Sequence, residues 1–234
     1  MNNKHKTSQS RWPSFGLRAA PARPLPPPVP PLSSFSTTGV RDSVWCSLDM
    51  MLGAGMIIIQ ENTHKIVVVY ETKKEYWFFP RGRKDVGESL ETAALREGYE
   101  ESGYRAQFMP LFNPTRQPHS PEDTDGDLKP NTEPIAVTLT SWKPKTTRQG
   151  EPYDSGGEYL TTWYVGRIPE DAVKDTGTGM WDEQHYESHL LSFEEAVQRV
   201  WGQELMILRY AWTIYGNTLE KQQVQAAVSV EGEQ

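Results

Sequence analysis

The sequence contains a single cysteine, Cys46, in 234 residues. One cysteine excludes an internal disulfide and any metal site built from several thiolates, which suits a reducing compartment. No histidine or basic residue stands beside Cys46, so it reads as a small buried hydrophobe and not as a reactive thiol. Long apolar runs are missing too. The longest uncharged one, Met50–Ile59, has ten residues, against the roughly 20 that a membrane-spanning helix needs. No membrane partner is expected. Acidic residues are absent before Asp42, whereas residues 1–41 hold six basic ones. The chain's net charge is −7, so the other 193 residues carry −13. A body of that charge repels a polyanion, which argues against RNA as a partner. It suits a protein that collects cations.

What is present divides the chain into three parts. Residues 1–44 contain eight prolines, six of them in the run Pro24–Pro31. Proline fixes φ and removes backbone donors, so the segment is extended or unstructured. Three readings stand for it: a plain tail, a basic organelle transit peptide, or a ligand for an SH3/WW-type partner through Pro24–Pro31. No hydrophobic stretch follows the N-terminal charges, so secretion is not expected. The expected location is cytoplasmic or nuclear, with a mitochondrial alternative from the basic N-terminus. Residues 45–218 form the folded domain, and 219–234 read as a polar C-terminal tail.

Within the domain, Ala54–Gln60 and Lys65–Tyr70 are β-branched runs joined by a polar tetrapeptide, the pattern of a hairpin. Tyr76–Phe79 is a short aromatic strand ended by Pro80. From Ser89 to Ser102 the composition is helical, with Ser89 as N-cap and Gly103 as the stop. Residues 113–133 read as a long surface loop. Ile135–Trp142 and Tyr159–Ile168 are further strands around the polar loop 143–157, and Phe193–Trp201 and Glu204–Tyr215 have helical spacing. This order suggests an α/β sandwich around a mixed sheet.

The chemistry concentrates in Gly82–Tyr104. At 100° per residue, Glu97, Glu100 and Glu101 share one face of the helix with Leu90, Ala93 and Ala94. Three acids on a face that the first half of the helix buries do not behave as a solvated charge run. Like charges at these spacings cost about 0.2–0.5 kcal/mol per pair, and acids near a helix C-terminus oppose its dipole. Arg96 relieves one of them, Glu100 at i+4. A divalent cation relieves the rest.

The spacing resembles the box of the Nudix hydrolase family, whose seven fixed positions are met by Gly82, Glu88, Arg96, Glu97, Glu100, Glu101 and Gly103. At about 6% per residue type, seven matches arise by chance at about 10⁻⁹ per start position. Two aliphatic positions depart from the pattern, Gly98 and Tyr104. The resemblance implies an α/β/α sandwich and hydrolysis of a diphosphate linkage with Mg²⁺ or Mn²⁺. It implies Glu97, Glu100, Glu101 and the Gly82 carbonyl as metal ligands, Glu88 as support and Arg96 as the orienting cation. In the family the general base is a box glutamate or one in a loop before the last strand. Here that stretch offers Asp182, Glu183 and Glu187, and Glu187 is the favoured candidate.

Three features bear on the substrate. Arg81, Arg83 and Lys84 surround Gly82, where a polyphosphate would approach. The opening Trp77–Gly82 resembles that of diphosphoinositol and diadenosine polyphosphate hydrolases, and less closely that of messenger-RNA decapping enzymes. Trp163, Trp181 and Tyr153 are candidates to stack on a base, with Trp163 more readily explained as core. A diphosphoinositol or dinucleoside polyphosphate is the favoured substrate. A messenger-RNA cap hydrolase is disfavoured by the acidic body. A non-catalytic module that binds a phosphorylated ligand or protein is the rival from another class.

Overall fold

In a computed structural model, residues 33–37, 42–118, 120–122, 129–181 and 183–232 are described. The readings placed on Pro24–Pro31 and the rest of the N-terminal 32 residues lie outside them, as does Asp182.

The apolar run becomes strand β1, Met50–Gln60, which turns through residues 61–64 into β2, Ile66–Glu71. The next segment pairs in two directions. β3 (Tyr76–Phe78) lies antiparallel to β2, and after Pro80 the chain crosses to β1 as β4 (Arg81–Arg83). Helix α1 runs Leu90–Ser102, capped by the Ser89 side chain and ended by Gly103 at φ 77°. The remaining elements are β5 (Gln107–Phe108), β6 (Ala136–Trp142), a small hairpin of β7 (Lys145–Thr146) and β8 (Pro152–Asp154), β9 (Gly157–Ile168), β10 (Tyr186–Leu191), α2 (Phe193–Arg199) and α3 (Gly202–Gly232). The main sheet runs β10-β2-β1-β9-β5, with β6 also on β9. β1 and β9 are parallel from Met50↔Glu158 to Gln60↔Ile168, and the other pairings are antiparallel.

Side chains alternate across a strand, and β1 divides on that rule. Ala54, Met56 and Ile58 face α1, where they pack with Ala93, Ala94, Tyr104 and Tyr164. Ile57 and Ile59 face α2 and α3, where they join Trp163, Val165, Leu208, Ala211 and Ile214. Both faces of the sheet are covered, which makes the expected α/β/α sandwich around a mixed sheet. Tyr104 packs in the core despite its departure from an aliphatic.

Four sequence expectations change. Cys46 is exposed, because it sits in the irregular approach to β1 and not in the sheet. The stretch 143–157 contains the β7–β8 hairpin. β4 has no apolar residue to signal it and exists through its backbone pairing to β1. The polar residues from 219 continue α3 to Gly232 instead of trailing off.

Candidate active site

α1 begins with Ser89 Oγ accepting from the Thr92 N–H at 3.1 Å. Its C-terminal carbonyls, which no helical N–H can reach, are met by the segment before β10 and by β10 itself. The Asp175 N–H donates to Gly103 O at 2.9 Å, Thr178 Oγ1 to Glu100 O at 2.9 Å, and Ser188 Oγ to Ser102 O at 2.6 Å. This ties the loop of residues 174–185 to the acidic end of the helix.

The loop delivers a carboxylate. Glu97, Glu101 and Glu183 each offer an oxygen, and the three lie within 4.8 Å of one another. Glu97 and Glu101 are buried. Oε2 of Glu101 accepts the Arg81 N–H at 2.7 Å, and Oε2 of Glu183 accepts the Met180 N–H at 2.7 Å. A cavity of about 130 Å³ opens beside Glu101 and Glu183. Gly82 passes so close that a Cβ there would sit 2.1 Å from the Glu97 carboxyl carbon. Its lack of a side chain is a requirement of the site.

Arg96 does more than the i+4 pairing predicts. Its guanidinium donates to both Glu88 oxygens at 2.9 Å, to Glu97 Oε1 at 2.8 Å, to Glu100 Oε2 at 2.9 Å and to the Arg83 carbonyl at 2.9 Å. Glu100 therefore faces Arg96, and the third carboxylate beside Glu97 and Glu101 belongs to Glu183.

Glu187 stands elsewhere. Ser188 and Leu190 of β10 point to α1, whereas Leu191 packs against the α2–α3 cluster. The alternation sends Glu187 to the side away from α1, where its carboxylate is 3.9 Å from His189 Nε2 and mostly exposed. Sequence reasoning considered Glu183 but had no way to locate where the strand begins.

Arg81 also departs from expectation. Its Nη1 donates to Glu204 Oε1 of α3 at 2.7 Å and to its neighbour Phe79 O at 3.2 Å. Its guanidinium carbon lies 5.4 Å from the Phe78 ring centroid. Arg83 is exposed and Lys84 partly so, and among the described residues neither is ion-paired. Trp163 is core, as expected, whereas Trp181 and Tyr153 are exposed.

Burial pushes the Glu97 carboxyl up to about 7, although Arg96 opposes the shift, and burial also pushes Glu101 well above the usual carboxylate range. The Arg96 hydrogen bonds hold Glu88 down at about 2. A carboxyl whose folded pKa is raised binds a proton that the unfolded chain has already released, so its stabilising effect disappears as pH rises through the folded value. The metal-free protein is thus expected to lose melting temperature steadily from about pH 4.5, the ordinary glutamate value, through about pH 7, where Glu97 is half titrated. Below pH 4.5 the sign reverses through Glu88, whose stabilisation fades as pH falls toward about 2. Melts in EDTA at half-unit pH steps test this, and a melting temperature that climbs between pH 4.5 and 7 would overturn it.

A family model for the NUDIX domain matches residues 49–176, which contain every strand from β1 to β9 and α1 but not Glu183. The chain belongs to the NUDIX family. Among curated NUDIX-type relatives, the putative 8-oxo-dGTP diphosphatase of Bacillus subtilis is 44% identical over 66 residues, 28% of this chain and 44% of that protein. The mouse protein nucleoside diphosphate-linked moiety X motif 6 is 32% identical over 72 residues, 30% of this chain and 23% of its own length. The matched stretch thus spans less than half of either relative. Among solved structures, an Ap4A hydrolase binary complex from C. elegans is 15% identical with a TM-score of 0.40, covering 71% of this chain and 98% of that one.

Proposed function

We propose that this NUDIX protein is a divalent-metal-dependent hydrolase of diphosphate linkages in a phosphorylated small molecule. The observation that carries the proposal is the meeting of Glu97, Glu101 and Glu183 within 4.8 Å. Fixed positive charge does not balance these groups. Arg96 reaches Glu97 but not Glu101, and the hydrogen bonds to Glu101 and Glu183 come from backbone N–H groups. Such a desolvated oxygen cluster fits Mg²⁺ or Mn²⁺, both of which favour carboxylate and carbonyl ligands. Glu97, Glu101 and Glu183 would hold the ion, with Glu100 and the Gly82 carbonyl as further candidates. Such an ion neutralises phosphate oxygens and acidifies a water.

The protein's own residues then have separable tasks. Glu88 and Arg96 fix the Glu97 carboxylate in orientation. Glu183 replaces Glu187 as the favoured general base, because it reaches the cluster from a loop and Glu187 faces away. Arg83 and Lys84 meet phosphates remote from the reacting bond. With Arg81 engaged by Glu204, fewer cations remain for a densely phosphorylated inositol, and exposed Trp181 stands two residues from Glu183. Those two observations favour a dinucleoside polyphosphate over a diphosphoinositol polyphosphate. The test is phosphate release with Mg²⁺ and with Mn²⁺ from both classes, nucleoside triphosphates and capped RNA. Absence of turnover alongside tight binding of one of them would replace the hydrolase by a binding module.

Changing Arg83 and Lys84 together to alanine is expected to raise KM several-fold with little change in kcat, because remote phosphate contacts serve ground and transition states alike. The effect should shrink at high salt, since exposed charges are screened within ~8–10 Å at physiological ionic strength. Steady-state kinetics at two ionic strengths decide it. An equal fall in kcat and kcat/KM would place these cations at the reacting phosphate instead.

A further inference from the structure

The segment Phe79–Gly82 supplies two parts of the acidic site. The Arg81 N–H is given to Glu101, and Gly82 makes room for Glu97. These are backbone properties, so they depend on how firmly the peptide is held. On the β1 side, the Met56 N–H donates to Pro80 O at 2.9 Å. On the other side the hold comes from a side chain 125 residues from Phe79 in the chain. Glu204, in the first turn of α3, is largely buried. Its Oε2 accepts the Phe79 N–H at 2.9 Å, while its Oε1 receives Arg81 Nη1 at 2.7 Å. Arg81 Nη1 closes the ring by donating to Phe79 O at 3.2 Å.

We infer that Glu204 is a positioning residue for the metal site, acting through the Phe79–Arg81 backbone and touching neither metal nor substrate. This deepens the proposed function and rests on the reading of Glu97 and Glu101 as ligands. Glu204 grips the peptide at two points two residues apart, and that fixes the direction of the Arg81 N–H. With it fixed, Glu101 Oε2 is held by this donor, and the Glu101 carboxylate is kept within 4.8 Å of the Glu97 and Glu183 oxygens. Without the grip, β4 keeps its pairing with β1 from Arg81 to Arg83, but the Phe79–Pro80 stretch leading into it loses its anchor on the α3 side, and the angle at which the Arg81 N–H is presented relaxes. A buried Glu101 that loses its only hydrogen-bond donor among the described residues no longer has one orientation to offer an ion. Outer partners of this kind typically cost 10–100-fold in metal affinity or activity when removed.

The test is direct Mn²⁺ binding, followed by the loss of the free-ion paramagnetic resonance signal, on the full chain. Glu204→Ala is expected to weaken Mn²⁺ binding about tenfold. Glu204→Gln, which keeps an acceptor for the Phe79 N–H, should lose less, and this variant carries the test if the alanine variant does not fold. Ile214→Ala, a core truncation in the same helix, should lower the melting temperature and leave Mn²⁺ binding as in the parent. A purely structural brace predicts that every folded variant binds Mn²⁺ equally, and that result would overturn the inference. A parent that binds no Mn²⁺ would instead overturn the metal reading itself, and this inference with it.

Discussion

Glu101→Gln is expected to lower turnover at least ~100-fold, because on the proposed function it removes an anionic ligand of the ion that would activate the water. The same substitution should raise the melting temperature of the metal-free protein at pH 8. Burial, with Glu97 and Glu183 alongside, disfavours negative charge on Glu101, and the amide carries none. Gln also keeps an oxygen for the Arg81 N–H that Glu101 accepts at 2.7 Å. Millimolar Mg²⁺ should reverse the ranking. The parent gains RT ln(1 + [L]/Kd), about 2.7 kcal/mol at 100 times Kd, and the variant gains less. Four melts, each protein with EDTA and with Mg²⁺, separate these contributions. If Mg²⁺ and Mn²⁺ leave the parent's melting curve unmoved and the variant still turns over substrate, Glu101 holds no ion and the metal-dependent reading is overturned.

Gly82→Ala should be nearly as damaging to activity and nearly silent in stability. A Cβ at Gly82 would meet the Glu97 carboxyl carbon at 2.1 Å. The obstructed atoms are the far end of a flexible side chain, so Glu97 can swing away while β4 keeps its pairing with β1. The metal-free protein should therefore stay within about 1 kcal/mol of the parent. Turnover should fall ~100-fold or more, and Mg²⁺ should no longer raise the melting temperature, because Glu97 has left the cluster. Gly98→Ala is the matching control. A Cβ at Gly98 would find its nearest neighbours, Ile58 and Met56, at 3.8 Å, an ordinary contact. It should be stabilising by up to ~1 kcal/mol from helix propensity and retain activity. A Gly82→Ala protein that still responds to Mg²⁺ would remove Glu97 from the ligand set.

Local features were the legible ones. The caps of α1, the β1–β2 hairpin and the buried stripe carrying Glu97 and Glu101 all follow from spacing within about 15 residues, where chain geometry leaves few choices. The readings that failed needed information carried by distant partners. Whether Glu187 or Glu183 reaches the acidic cluster depends on β10 starting at Tyr186, which its pairing with β2 decides. Arg81 reads as a phosphate ligand until Glu204 arrives from α3. β4 is a strand only because β1 offers it a free edge, and Cys46 is exposed because β1 starts four residues later. Gly98 is a departure from the family pattern that the sheet beneath it tolerates without crowding.

The alternation of β10 has an implication for how the site can diverge. A strand shows only every second residue to a given side, so its even and odd positions are bound by parity. Ser188 and Glu187 cannot exchange places without shifting the whole strand and exposing Leu191. The loop before it has no such rule. Glu183 is held there by a backbone bond to Met180, and the loop by its anchors on the end of α1. The oxygen that completes the cluster is thus the part of the site freest to be lengthened, shortened or replaced while the scaffold stays unchanged. Two of the carboxylates are placed by the helix, and the third by the loop alone.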